Sequence, residues 1–283
     1  LVDSPSAFYE IQNMIYPGLV SVSFRSLKPE EIIRATSAAG LAGIEWGGDV
    51  HVPAGNVTVA AEVAARTRDA GLRVSAYGSY YRLGATSGEP AESVIDSAVA
   101  LAAPIIRVWA GTVGSAEATE ADCVRIVDDA RHMCDLAQAA GVRVATEWHG
   151  GTLTDTATSA LALFNAINHP NLFTYWQAPQ RMRPDDCLID LQAALPRLAG
   201  VHVFQWDVQT THRQALAKGD GWWPGFLATA NQLTADIFAS LEFVRGDSLE
   251  QLNRDAKTLK QWINQLSTPV GRPAIKCSQS SRE

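Results

Sequence analysis

Cysteine is scarce in this chain. Its 283 residues include four, Cys123, Cys134, Cys187 and Cys277, and no two of them form a CxxC pair. That pattern excludes a disulfide scaffold and a cysteine-rich zinc module. The four read as free thiols in a reducing compartment, so a cytoplasmic location is the expectation. Cys123 and Cys134 share one face of a predicted helix but lie about 16 Å apart in rise, too far to bridge. Long apolar runs are also missing. No stretch of about 18 apolar residues occurs, so no membrane-spanning helix is expected. Leu1 to Asn13 lacks the charged start and apolar block of a signal peptide, and Met14 is a candidate natural start. There is no basic excess: Lys and Arg number 23 against 30 Asp and Glu, giving a net charge of -7. Such a surface repels phosphate backbones, which makes nucleic acid a poor partner. A glycine-rich phosphate loop is absent as well. Ser21-Val-Ser-Phe-Arg25 stands after the first predicted strand, where an open dinucleotide-binding sheet would place its glycines.

What the chain does have is alternation. Short β-rich runs fall at Leu19–Phe24, Gly43–Trp46, Arg73–Tyr77, Ile105–Trp109, Arg143–Glu147, Leu172–Trp176, Val201–Gln205 and Ile237–Phe243. Helical patterns lie between them, at Pro29–Ala39, Val57–Ala70, Ala91–Ala102, Glu120–Ala140, Thr154–Ile167, Pro184–Leu195, Gly225–Gln232 and Leu249–Gln265. The segments AAG-L, DAG-L and AAG-V recur before strands two, three and five, and their glycines suit the left-handed turn that ends a helix. Hydrophobic residues make up 47% and charged residues 19%, enough apolar content for one large core. Eight strand–helix pairs in a single composition regime predict an α/β fold, a (β/α)8 TIM barrel in one domain over residues 16–266. Residues 1–15 read as an N-terminal extension. Residues 267–283 read as a mobile C-terminal tail.

In such barrels, chemistry sits at the C-terminal ends of the strands. Polar side chains gather at those positions: Glu147 on strand five, Gln177 on six, His202 on seven and Glu242 on eight. Oxygen and imidazole ligands of this kind suit Mn²⁺ or Mg²⁺, and also Zn²⁺ or Co²⁺. Two carboxylates, Glu147 and Glu242, also suit proton shuttling between adjacent carbons, and a metal would lower the cost of an enediolate. Singly, each residue is as well explained by an ion pair or a core hydrogen bond. Together, on consecutive strand ends, they read as a metal site. His149 follows Glu147 by two residues and is a third catalytic candidate, with a loop hydrogen bond as its alternative. His51, Arg107 and Arg213 are expected to orient hydroxyls, a carboxylate or a phosphate. For the two arginines a structural ion pair is an equal reading. Trp46, Trp109, Trp176 and Trp206 fall at strand ends, where aromatic rings stack on the apolar faces of sugars; core packing is the plainer account.

The order and spacing of these residues resemble the xylose-isomerase-like barrel superfamily, over about Tyr16 to Leu266. That group includes sugar phosphate isomerases, ketose 3-epimerases, inosose dehydratases and endonuclease IV. Its usual pattern is Glu on strand five, Asp with His three residues later on six, His on seven and Glu on eight. Glu147, His202 and Glu242 match. Gln177 stands in place of the Asp and Gln180 in place of the His, which removes one negative charge from the implied metal site. The segments Trp46-Gly-Gly-Asp-Val-His-Val-Pro53, Glu147-Trp-His-Gly-Gly-Thr-Leu-Thr154 and Tyr175-Trp-Gln177 resemble its sugar phosphate isomerase/epimerase branch. The resemblance implies a metal-assisted carbohydrate isomerase or epimerase. A lyase or dehydratase acting on a keto-sugar, keto-inositol or keto-glycoside would need the same enolate, with more work for His149. A non-catalytic sugar-binding barrel is a further reading. A DNA-repair endonuclease is disfavoured by the charge and by the missing strand-six pair. A small carbohydrate is the expected partner, with neither nucleic acid nor membrane, and self-association through the outer helices is left open.

Overall fold

The computed structural model describes residues 14–266 other than residue 234. Cys277, the predicted tail and nearly all of the predicted extension lie outside the described residues. In chain order the elements are β1 (Ile15–Val20), α1 (Pro29–Ala38), β2 (Gly43–Gly47), α2 (Val57–Asp69), β3 (Arg73–Arg82), α3 (Ala91–Ala100), β4 (Ile105–Trp109) and α4 (Glu120–Ala139). There follow β5 (Arg143–Glu147), α5 (Ala157–Ile167), β6 (Leu172–Gln177), α6 (Pro184–Ala194) and β7 (Leu198–Val203). The short strands β8 (Gln205–Trp206) and β9 (Arg213–Gln214), then α7 (Trp223–Ala230), β10 (Ile237–Leu241) and α8 (Leu249–Leu266), complete the set. Strands β1 to β7 and β10 close into one parallel barrel in the order β1-β10-β7-β6-β5-β4-β3-β2. The pair β8–β9 is an antiparallel ribbon in the segment between β7 and α7. Among the described residues no helix is long and apolar enough to cross a membrane. Cys123, Cys134 and Cys187 are free thiols.

Local sequence explains the helix boundaries. Pro29 opens α1 with its φ already helical and no N–H to lose. Thr119 caps α4, accepting from the Asp122 amide, while the Asp122 carboxylate accepts from the Thr119 amide. Gly40, Gly71 and Gly141 follow α1, α2 and α4 with φ of +65°, +73° and +73°, the left-handed turn that the recurring glycines anticipate.

Two strands lie away from their predicted places, and β3 runs on past its predicted end at Tyr77 to Arg82. The run Leu19–Phe24 is not strand throughout: β1 ends at Val20, and Ser21–Phe24 coils into a 3-10 turn. Pro17 and Gly18 disguise the true strand, because both are turn-formers by habit. Gly18 is required there, since a Cβ would sit 2.6 Å from the Ser240 hydroxyl inside the barrel. β7 begins at Leu198, earlier than predicted, and Gln205 belongs to the β8–β9 ribbon.

The floor of the barrel is a small apolar cluster of Ala76, Ile105, Ala145, Tyr175 and Ala199, with Phe173 against it. A much larger core lies between barrel and helices and includes Trp46, Trp148, Trp176, Trp223 and Trp262. Gly200 makes room for the Tyr175 ring, whose Cε1 would lie 2.4 Å from an added Cβ. Tyr175 is 1% exposed and has nowhere to retreat. Gly200→Ala should therefore destabilise the fold by about 1–3 kcal/mol through overpacking. Urea unfolding of the variant against wild type checks this.

Candidate active site at the strand C-terminal mouth

Strands alternate their side chains, so one inward residue per strand end settles the parity of its neighbours. Glu45 of β2, Arg107 of β4, Glu147 of β5 and His202 of β7 point into the barrel, and Glu242 joins them just past β10. All five are buried. The Arg107 guanidinium is the hub. Its Nε donates to Glu45 Oε1 at 2.6 Å, and its Nη1 donates to Glu147 Oε2. Trp109, two residues on and of the same parity, donates its indole N–H to the same Glu147 oxygen. Glu45 Oε2 takes a second bond, 2.9 Å from His202 Nε2. A carboxylate accepts only, so Nε2 carries the proton and Nδ1 faces the other way.

His202 Nδ1 lies 3.4 Å from Glu147 Oε1 and 3.4 Å from Glu242 Oε2. Neither contact has hydrogen-bond alignment, and Nδ1 and Glu242 Oε2 are buried without a hydrogen-bond partner. Glu147, His202 and Glu242 each present one ligand atom, all within 4.8 Å of one another. A lone pair facing two carboxylates is repulsive unless a positive charge lies between them. Either a proton on Nδ1 or a metal ion answers that demand. The donor set fits a divalent ion, and Glu45 supplies the carboxylate that commonly orients a ligating histidine.

The ionisations follow from this packing. Burial alone would raise Glu45, but the His202 and Arg107 charges beside it hold its carboxyl below the usual range. Glu147 is likewise buried, yet Arg107 and His202 keep it well below an ordinary carboxylate. Glu242 has less help. Burial and the Glu147 charge outweigh the attraction of His202 and push it up to about 7. Burial opposes a charged His202, but Glu45 and Glu242 overcome it and raise the imidazolium to about 10.

Gln177 ends β6 and pairs in register with His202. Its Nε2 donates to the Trp148 carbonyl at 2.9 Å, which leaves Oε1 buried and without a partner. His149 stacks on Trp109 with ring centres 4.7 Å apart, and lines a cavity of about 450 Å³ together with Gln177 and Phe243. Trp206 stands at the rim against Phe243, 5.2 Å between centres. Arg213 is also at the rim, where it makes an ion pair with Asp247 at 2.7 Å and lies 5.1 Å from the Phe243 ring.

Three expected substrate contacts are corrected. Trp46 and Trp176 neighbour the inward Glu45 and Tyr175, so they face the helices instead. Trp46 is wholly buried and donates to Thr67 of α2; Trp176 packs edge-on against Trp223 and Phe226 of α7. His51 is buried between loops. Its Nδ1 accepts from Ser21 Oγ at 3.0 Å and its Nε2 donates to the Leu27 carbonyl at 3.2 Å. Burial holds it below its ordinary pKa, as a neutral clamp. Conversely, Glu45, Tyr80 and Phe243 belong to the mouth and were not singled out from sequence. Glu45 shares the parity and strand-end position of the others. Tyr80 and Phe243 carry positive φ, +61° and +49°, which no sequence pattern announces.

The profile of the family described as xylose isomerase-like TIM barrel matches residues 33–266. The chain belongs to that family. A stretch of 67 residues is 39% identical to the 3-dehydroshikimate dehydratase of Bacillus anthracis, and it spans about a quarter of each protein, 24% of both chains. Among solved structures, a probable 3-DHS dehydratase from Bacillus anthracis superposes with a TM-score of 0.73 at 21% identity, covering 87% of this chain and 99% of its own. A D-allulose 3-epimerase from Methylomonas sp. gives 0.67 at 14%, covering 88% and 98%. A xylose isomerase-like barrel from Mycobacterium smegmatis in complex with magnesium gives 0.67 at 15%, covering 89% and 98%. At these structural identities the likeness is one of fold, and the dehydratase and the epimerase are both enzymes.

In the metal-free protein His202 should stay protonated through pH 8, because its folded pKa lies near 10. Glu45→Gln removes the largest of the charges that raise it and should bring the titration down toward the ordinary 6.5. Histidine NMR across a pH series of wild type and variant reads this directly.

Proposed function

We propose that the chain is a metal-assisted isomerase or epimerase of a carbohydrate. One observation carries this reading: Glu147 Oε1, His202 Nδ1 and Glu242 Oε2 converge, buried, at the strand C-terminal mouth, and two of the three have no hydrogen-bond partner. Glu147, His202 and Glu242 would hold a divalent ion, Mn²⁺ or Mg²⁺, with Gln177 adding an amide oxygen. A bound ion would supply electrophilic polarisation of a substrate carbonyl. The magnesium in the Mycobacterium smegmatis barrel supports the choice of ion.

The two carboxylates are unequal in what they can do. Glu147 has one oxygen taken by Arg107 and Trp109, which fixes it as an anion. Glu242 has no such neighbours and a proton affinity near neutral pH, the tuning expected of a group that takes and returns a proton. It is assigned to the proton at the carbon beside the carbonyl. Glu242 then returns that proton at the neighbouring position, while Glu147, held ionised across His202, keeps its charge beside the reacting carbons. His149, stacked on Trp109, orients a hydroxyl. A lyase or dehydratase uses the same first proton and then expels a β substituent, with His149 giving that group its proton. The 67-residue match to 3-dehydroshikimate dehydratase favours this second reading.

Keto-sugars and keto-glycosides incubated with Mn²⁺ and the protein separate the two, with product mass as the readout. An isomerase conserves mass; loss of water or an aglycone makes the second reading correct. Glu242→Gln should lower turnover by about 10²–10⁴-fold with the fold intact, the usual loss for a proton-transfer group. Glu147→Gln should lose as much and also release Arg107. Near-wild-type rates in either variant would remove that residue from its role.

Gln177 gives the sharpest test of the site's composition. An Asp there adds a carboxylate next to His202, so Gln177→Asp should bind Mn²⁺ at least about tenfold more tightly, a gain on the order of 1.4 kcal/mol from one nearby charge. Faster turnover need not follow, because a more neutralised ion polarises a carbonyl less. Mn²⁺ titration of apo wild type and variant decides it. Equal or weaker affinity in the variant would place Gln177 away from the metal.

A further inference from the structure

The mouth carries one cation that the site above does not use. Arg82 ends β3, and its guanidinium carbon lies 3.9 Å from the centre of the Trp109 ring. Other arginines here are paired: Arg25 with Asp49, Arg107 with Glu45 and Glu147, and Arg213 with Asp247. Among the described residues Arg82 has neither an ion pair nor a side-chain hydrogen bond. Burial alone, with no charged neighbour to offset it, pulls its pKa below the ordinary value. A partly desolvated cation without a counter-ion is unfavourable in a resting protein, and stacking on an indole returns only part of the loss.

In front of Arg82 is a cavity of about 440 Å³, walled by Ser79, Tyr80, Arg82, Thr86, Ser87 and Glu89 among others. It reaches the catalytic layer through two rings. Tyr80 meets Trp109 edge-on at 5.3 Å, and the Trp109 indole N–H donates to Glu147. Tyr80 cannot swing freely. Its hydroxyl accepts from Arg25 Nη2 at 2.6 Å, and its backbone holds φ +61°, a costly conformation for a bulky residue. Tyr80 is thus held in place beside Trp109, and Arg82 stands on the cavity side of that pair of rings. A guanidinium with one face on an indole still presents its planar fork of N–H donors, the geometry that grips a carboxylate or phosphate through two hydrogen bonds.

We propose that Arg82 is an anion receptor, and that the substrate carries a carboxylate or phosphate group on the part remote from the reacting carbons. The statement about substrate rests on the enzymatic reading above; the statement about the anion site does not. Glu89, the acidic member of the same wall, makes no ion pair with Arg82.

The test uses the whole metal-free chain, so that no turnover is needed. Inorganic phosphate and acetate are titrated separately, and the Arg82 Nε–H and Trp109 indole N–H resonances are followed by NMR. Wild type should show saturable shifts of both, with one anion preferred; phosphate preference marks a phosphorylated substrate and acetate preference an acid. Arg82→Gln should weaken binding of the preferred anion by at least about tenfold, the loss expected for a charge-assisted bidentate contact. Arg82→Lys, which keeps the charge but not the fork, should fall between the two. Glu89→Gln should tighten binding. The absence of saturable shifts with either anion, or unchanged affinity in Arg82→Gln, overturns the proposal. A protein that binds anions at Arg82 yet converts no sugar would overturn the enzymatic reading and leave the receptor in place.

Discussion

One buried guanidinium organises the interior of this barrel. Arg107 reaches Glu45 on one side and Glu147 on the other, so three strands of the closed sheet meet through charge rather than through apolar packing. Taking such groups out of water is expensive, and only complete pairing makes the arrangement tolerable. Pairing is nearly complete: Glu45 uses both oxygens, and Glu147 uses one for Arg107 and Trp109. Of these charged groups, His202 Nδ1 and Glu242 Oε2 remain without a hydrogen-bond partner, beside Glu147. The hub therefore concentrates the electrostatic debt of the core at one place, where an ion or a proton can settle it.

The same hub explains why two chemically identical carboxylates differ. Glu147 touches the guanidinium and is held ionised, whereas Glu242 sits farther along the ring, beside Glu147's own charge, and keeps its proton to about pH 7. A single arginine, placed by the parity of one strand, sets that difference without any change in residue type. Trp109 extends its reach outward, since the indole that binds Glu147 also carries His149 and Arg82 against its ring. Inner charge layer and outer rim are joined through that one side chain.

Much of this was legible in the sequence because barrels repeat one simple unit. Ile105–Trp109 and Arg143–Glu147 were readable to the residue, since short β-rich runs there follow the end of a helix, at Pro104 in one case and Gly141 in the other, and finish at polar strand ends. β1 was misplaced because Pro17 and Gly18 signal a turn locally, while the closed sheet demands a strand and needs the glycine's missing Cβ. Glu147, His202 and Glu242 were readable because each falls at or just past the C-terminal end of a strand whose predicted and observed ranges overlap. Glu45 shares their strand-end placement, yet in sequence nothing distinguishes it from an ordinary strand carboxylate. Its role depends on Arg107 and His202, which lie 62 and 157 residues away in sequence. Tyr80 was hidden for another reason: its place at the mouth depends on a backbone turn that leaves no composition signal.

The alternation that turned Trp46 and Trp176 away from the mouth helps to separate seven of the chain's eight tryptophans into two optical populations. Trp46, Trp148, Trp176, Trp223 and Trp262 are almost wholly screened from water, so their emission belongs to the packed layer under the helices and reports on whether the barrel is assembled. Trp109 and Trp206 lie at the mouth and are only partly screened. Their light should change when a ligand arrives and stay indifferent to small adjustments among the helices. The protein carries its own separate gauges of integrity and of occupancy, and both can be read without a label.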